Sequence, residues 1–185
     1  MPCALARIGI GAPAAALLLE DSVARGLRNV LVVGSAGSLQ RHLPIGSTVI
    51  VTGAEREDGT SHHYLPAGEI VSAAPELAVV LEECSATRGG GPVRGRSWTI
   101  NAPFREAIGA IRRHREGGVS VVEMEAAAIF AVARVRGVRA ALIVAVSDEL
   151  FGHELNMGFG HNAYLDSLAR AADAAMDAAH SFLPA

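Results

Sequence analysis

Cysteine is scarce in this chain: Cys3 and Cys84 are the only two. They share no metal-ligand spacing, so no metal is expected and a reducing cytoplasm is the default compartment. A run of basic residues is missing, and the formal net charge is −3. Nucleic acid is therefore not an expected partner. No apolar stretch approaches the length of a membrane span, so no membrane partner is expected either. The N-terminus is apolar but has no basic flank, and Arg7 and Pro13 interrupt it, which argues against a signal peptide. Internal repeats are absent, and the Gly and Pro clusters are too short for linkers. What is there is a chain of 185 residues, half of them hydrophobic, expected to form one domain over 1–185 with a substantial core.

The pattern is most informative between Val119 and Leu150. Val119 to Val122 is a β-branched run suited to a buried strand. Met124 to Val135 is rich in Ala, Ile and Phe without Gly or Pro, which reads as a helix packed on a sheet, and Gly137 closes it. Ala140 to Val146 is a second apolar run, ending in Ser147 and Asp148. Strand, helix and strand predict one right-handed βαβ unit with parallel strands. Ligands of open α/β sheets bind outside the carboxyl ends of the strands, where this unit places Glu123, Glu125 and Asp148. Glu123 or Glu125 also suits a helix N-terminus for purely electrostatic reasons. The acid ending the neighbouring strand favours a site.

Elsewhere, Ala4 to Ile10 reads as a strand, and Gly9 to Pro13 as a tight turn into a helix over Ala14 to Arg25, stopped by Gly26. Val30 to Val33 is the next strand, followed by the small residues Gly34 to Ser38. Glycines in such a turn let amides face an anion and a serine adds a donor, although many βα turns need glycine for steric reasons alone. Thr48 to Thr52 predicts a strand. Asp58 to Ser61 reads as a surface loop, and the adjacent His62 and His63 do not make a metal pair by themselves. Pro75 to Arg88 predicts an amphipathic helix and Val93 to Ile100 a strand. Glu149 to Asn162 reads as a loop holding His153 and His161, both taken as solvated. Ala163 to Phe182 predicts a final helix.

The segment Val122-Glu123-Met124-Glu125-Ala126-Ala127-Ala128, followed by Val146-Ser147-Asp148, resembles the nucleoside phosphorylase family, which covers purine nucleoside and uridine phosphorylases and methylthioadenosine nucleosidases. Gly9 to Gln40 is similar to its phosphate-loop region. The resemblance implies a three-layer α/β fold, with a mixed, largely parallel central sheet and helices on both faces. It implies that Glu125 holds the ribose hydroxyls beside Glu123, and that Met124 packs on the sugar. Asp148 would protonate the base, and Gly34 and Ser35 would hold phosphate. Phe104 would stack on the base beside Ser147, with Trp98 as the other aromatic in reach and core filling an equal reading for it. Two departures stand out. Val32 occupies the position where phosphorylases usually carry an arginine, and the family normally begins with a further N-terminal segment that supplies another phosphate clamp.

The chemistry implied is N-glycosidic cleavage of a nucleoside by phosphorolysis, with inorganic phosphate as co-substrate and no cofactor. An ionised Glu125 can accept from two vicinal hydroxyls, and Asp148 suits a general acid if its pKa is raised. Amides and one hydroxyl hold a doubly charged phosphate weakly, so water as nucleophile is a rival. A non-catalytic nucleoside-binding or oligomerising remnant is a third reading. The family's sites borrow residues from a neighbouring subunit, which implies a homo-oligomer.

Overall fold

The computed structural model describes residues 3–152 and 155–182. Among them are five α-helices and a seven-stranded mixed sheet, the α/β architecture expected from the sequence. In chain order these are α1 (Ala12–Ala24), β1 (Asn29–Ser38), β2 (Thr48–Glu57), β3 (Val71–Ser72), α2 (Pro75–Thr87), β4 (Val93–Ile100), α3 (Ile108–Glu116), β5 (Val119–Glu123), α4 (Ala126–Arg136), β6 (Arg139–Glu149), β7 (Asn156–Met157) and α5 (Asn162–Ser181). Short 3-10 turns lie at Thr60–His63 and Pro103–Arg105.

The strands run in the order β3-β2-β4-β5-β1-β6-β7. The long pairings, β1 with β6 and β2 with β4, are parallel, while β5 meets β1 antiparallel over only two residue pairs. β2 also pairs antiparallel with β6, Thr48 opposite Ala145. The sheet therefore curls until β2, β4, β5, β1 and β6 close on one another. Burial on both sides suits the β-branched runs of β2 and β6, where Val49, Ile50, Val51, Ile143 and Val144 are all buried. α1 packs with α4 and α2 with α5 against this framework. A smaller cluster of Leu39, Trp98, Ile100, Val119 and Val122 packs beneath Ala110 and Ile111 of α3.

Several expectations need correction. Ala4 to Ile10 is not a strand: it pairs with none of the seven, and Leu5 is 91% exposed. β5 and β6 are not neighbours in a βαβ unit, because β1 lies between them. Gly34 to Ser38 does not turn but continues β1, paired with β6 through Glu149. Asp58 and Ser61 are buried rather than on a surface loop: the Asp58 carboxylate accepts the Ser61 amide at 2.8 Å and its hydroxyl at 2.6 Å. His161 is exposed and directly precedes α5, while His153 lies outside the described residues.

Candidate active site

The end of β1 is the floor on which the predicted residues meet. Gly37 pairs with Val122 of β5 on one side and with Asp148 of β6 on the other. Adjacent strands are 4.7–4.9 Å apart, so the backbones of Val122 and Asp148 lie about 10 Å apart across Gly37. Because β5 runs antiparallel to β1, Glu123 leads back along β1 toward Ala36. The two carboxyl-bearing segments flank the end of β1, with β5 antiparallel to it, and do not share the parallel rim expected from the sequence.

Glu123 is buried, and its oxygens are occupied from within. Oε2 accepts the Glu125 amide at 2.7 Å and the Ala126 amide at 2.6 Å, and Oε1 accepts the Thr99 hydroxyl. Thr99 in turn accepts the Ala127 amide at 3.0 Å. Three amides that open α4 have no partner within the helix, and these two side chains satisfy all of them. Glu123, expected beside the sugar, shapes the turn that presents Met124 and Glu125. Burial pushes its carboxyl up to about 7, against the opposing pull of Thr99 and the two amides.

Glu125 is half-buried, with burial raising its pKa and the Gly11 and Met124 amides pulling the other way. Its Oε1 accepts the Gly11 amide at 2.6 Å. Gly11 holds φ 96°, a left-handed conformation that favours glycine, where the chain enters α1. The next amide, Ala12, donates to Asn101 Oδ1 at 3.3 Å. α1, α4 and the turn after β4 thus converge on Glu125. Met124 beside it is half-buried.

Asp148 is raised by burial, opposed by a hydrogen bond from the Ser147 hydroxyl to Oδ1 at 2.7 Å. Glu106 was missed by sequence reasoning. Half-buried on the turn between β4 and α3, it is pushed up to about 7 by burial first and then by the charge of Asp148. A glutamate within the polar run Arg105-Glu106 offered no periodicity signal to single it out.

Phe104 stands on the same turn, fully exposed. Trp98, the alternative aromatic, belongs to the core: it is fully buried, stacks on His114 with ring centroids 4.2 Å apart, and donates from Nε1 to Glu57 Oε2 at 2.9 Å. Gly34 and Ser35 lie within β1, and the Ser35 hydroxyl is 2.6 Å from the Tyr164 hydroxyl of α5. Val32 is buried in the main core, and Arg7 is exposed on the segment before α1. Among the described residues no group of three or more His, Cys, Asp and Glu side chains forms a metal site.

An α/β fold that gathers carboxyls of raised pKa at the ends of its strands suits an enzyme acting on a small molecule. Within that class the chain belongs to the Phosphorylase superfamily, whose family model matches residues 1–184. It is 33% identical over 146 residues to a guanosine phosphorylase of Halorubrum lacusprofundi, covering 77% of this chain and 59% of that protein. It is 26% identical over 159 residues to a uridine phosphorylase of Haemophilus influenzae, covering 78% and 63%. A DeoD-type purine nucleoside phosphorylase of Bacillus cereus is 25% identical over 171 residues, covering 91% and 73%. The chain thus spans about three fifths of the length of the first two relatives. Among solved structures, an AMP nucleosidase from Bacteroides thetaiotaomicron shares the fold with a TM-score of 0.76 at 19% identity, covering 94% of this chain and 71% of that one.

Proposed function

We propose that this protein cleaves the N-glycosidic bond of a nucleoside by phosphorolysis, giving free base and pentose 1-phosphate. The observation that carries the reading is the meeting of Asp148 with the turn bearing Glu125 across the end of β1, Asp148 being raised toward the protonated form. Departure of the base leaves an oxocarbenium-like sugar. Asp148 delivers a proton to the leaving base, and Glu125 uses its remaining lone pairs to accept from the ribose hydroxyls. Met124 packs on the sugar, Phe104 stacks on the base beside Ser147, and Ser35 with the Gly34 backbone contributes to the phosphate site. No cofactor enters this scheme. The guanosine, uridine and purine nucleoside phosphorylases among its relatives support the reaction class.

The protein works in this proposal as a cytoplasmic homo-oligomer. Free cysteines fit the compartment, and the exposed Leu5, Ile10 and Leu17 fit a covered apolar face. A second reading, hydrolysis by water, is favoured by the Ser35 hydroxyl, whose hydrogen bond is to Tyr164 and not to an arginine. Product analysis separates the two. Ribose 1-phosphate formed in step with free base supports phosphorolysis, and free ribose formed at the same rate without phosphate supports hydrolysis.

A further inference from the structure

The floor beneath Asp148 has an irregular build. Ala36 pairs with Val146, but Gly37 pairs with Asp148, so Ser147 is the extra residue of a bulge in β6. The Ser147 side chain is buried, donates to Asp148 Oδ1 at 2.7 Å and lies 3.3 Å from the Ala36 carbonyl oxygen. Opposite the bulge there is no room for any side chain. A Cβ on Gly37 would lie 2.8 Å from Asp148 Oδ2, 3.1 Å from Val122 Cγ1 and closer still to Leu150 Cδ1. Gly37 is not among the glycines of positive φ, so space rather than backbone freedom selects it.

The two oxygens of Asp148 are therefore treated differently. Oδ1 is held by a hydroxyl, and Oδ2 rests over the bare Cα of Gly37. We propose that Ser147 and Gly37 are positioning residues that make Asp148 a one-sided acid, with Ser147 fixing Oδ1 as an acceptor and the space at Gly37 seating Oδ2 as the oxygen that protonates the leaving base. The inference rests on the glycosidic-cleavage reading above. In the step it describes, the Oδ2–H bond breaks as an N–H bond forms on the base. The electron pair of the C1′–N bond goes to that nitrogen, and the sugar carbon is met by phosphate or water. The ionised Asp148 that remains accepts a stronger, charge-assisted bond from Ser147 and is reprotonated from solvent. Among the described residues, the other carboxyls near Asp148 include Glu106, on the turn after β4, and Glu149, whose Oε1 accepts the Ile45 amide at 3.0 Å and whose Oε2 accepts from Asn156 at 3.0 Å.

The test uses Ser147→Ala and Gly37→Ala in the full chain. Asp148 is titrated by carboxyl 13C NMR, assigned with Asp148→Asn, and turnover is compared between a purine nucleoside and 4-nitrophenyl riboside. Removing the Ser147 donor should raise the Asp148 midpoint by about half a pH unit or more, and the alkaline limb of purine cleavage should move with it. Gly37→Ala should lower purine turnover by roughly tenfold or more, and turnover of the activated riboside by much less, since that leaving group needs little protonation. An unmoved Asp148 titration in Ser147→Ala, or equal losses on both substrates in Gly37→Ala, would overturn the proposal. If Gly37→Ala does not fold, the Ser147→Ala titration decides. A chain that cleaves neither substrate refutes the cleavage reading instead, and the titration still tests the seating of Asp148.

Discussion

In the proposed role of general acid, Asp148 acts only while it holds a proton. Burial raises its pKa above the usual aspartate value, so its acid form persists to higher pH than that of a free aspartate. Purine cleavage should fall as pH rises through that value. Asp148→Asn keeps the shape and the Ser147 contact but cannot protonate the base. We expect purine turnover to drop by about 10²-fold or more, with a smaller loss on an activated leaving group, as measured by steady-state kinetics on both substrates. Equal losses would make Asp148 structural. At this scale the sequence displayed the acids but not their neighbours. Ser147-Asp148 and Met124-Glu125 stand in recognisable motifs, whereas Glu106, Asn101 and Gly11 reach the site only because three elements converge. The capping role of Glu123 was hidden because sequence reveals a carboxylate's position but not whether its lone pairs are already filled.

The turn that opens α4 titrates as part of the fold. Glu123 has a pKa of about 7 in the folded chain, against the ordinary value of 4.5. The folded state therefore binds the extra proton between those values, and its stabilising effect is complete below about 4.5 and lost as pH rises through about 7. The linked loss is on the order of 3 kcal/mol for a shift of this size. Glu123→Gln imitates the protonated carboxyl, its oxygen accepting the two amides and its NH2 facing Thr99, so its stability should stay near that of the parent chain at pH 5 and vary much less between pH 5 and 8. Urea unfolding across that range would decide, and an unchanged slope would remove Glu123 as the cause.

α3 depends on a different anchor. His114 reaches Glu55 Oε2 at 2.6 Å and stacks on Trp98, and Arg96 reaches Glu55 Oε1 at 2.9 Å. His114→Ala should cost about 2 kcal/mol and raise KM more than it lowers kcat, since α3 follows the Phe104–Glu106 turn. Denaturation and kinetics together check both halves. Elements with a clean period were legible: the strand expected over Val93 to Ile100 is β4, and the helix expected over Pro75 to Arg88 is α2 but for its last residue. Gly34 to Ser38 was not legible, because its small residues carry little strand propensity and extend only through pairing with β6.

The closure of the sheet was hidden from sequence for a related reason. Periodicity marks a strand but says nothing of its partner, and β6 has β1 along one edge and β2 along the other. Insertion of β1 between β5 and β6 is likewise a long-range choice that the short connection through α4 did not reveal. The strand expected at Ala4 to Ile10 has the right residues but no partner among the described strands. The measurement that tests the proposed reaction most directly is release of free base from a purine nucleoside by the 185-residue chain, with and without inorganic phosphate. Phosphorolysis predicts phosphate-dependent release with one pentose 1-phosphate formed per base. Phosphate-independent release with free ribose would contradict phosphorolysis, and no release by the folded chain would contradict nucleoside cleavage itself.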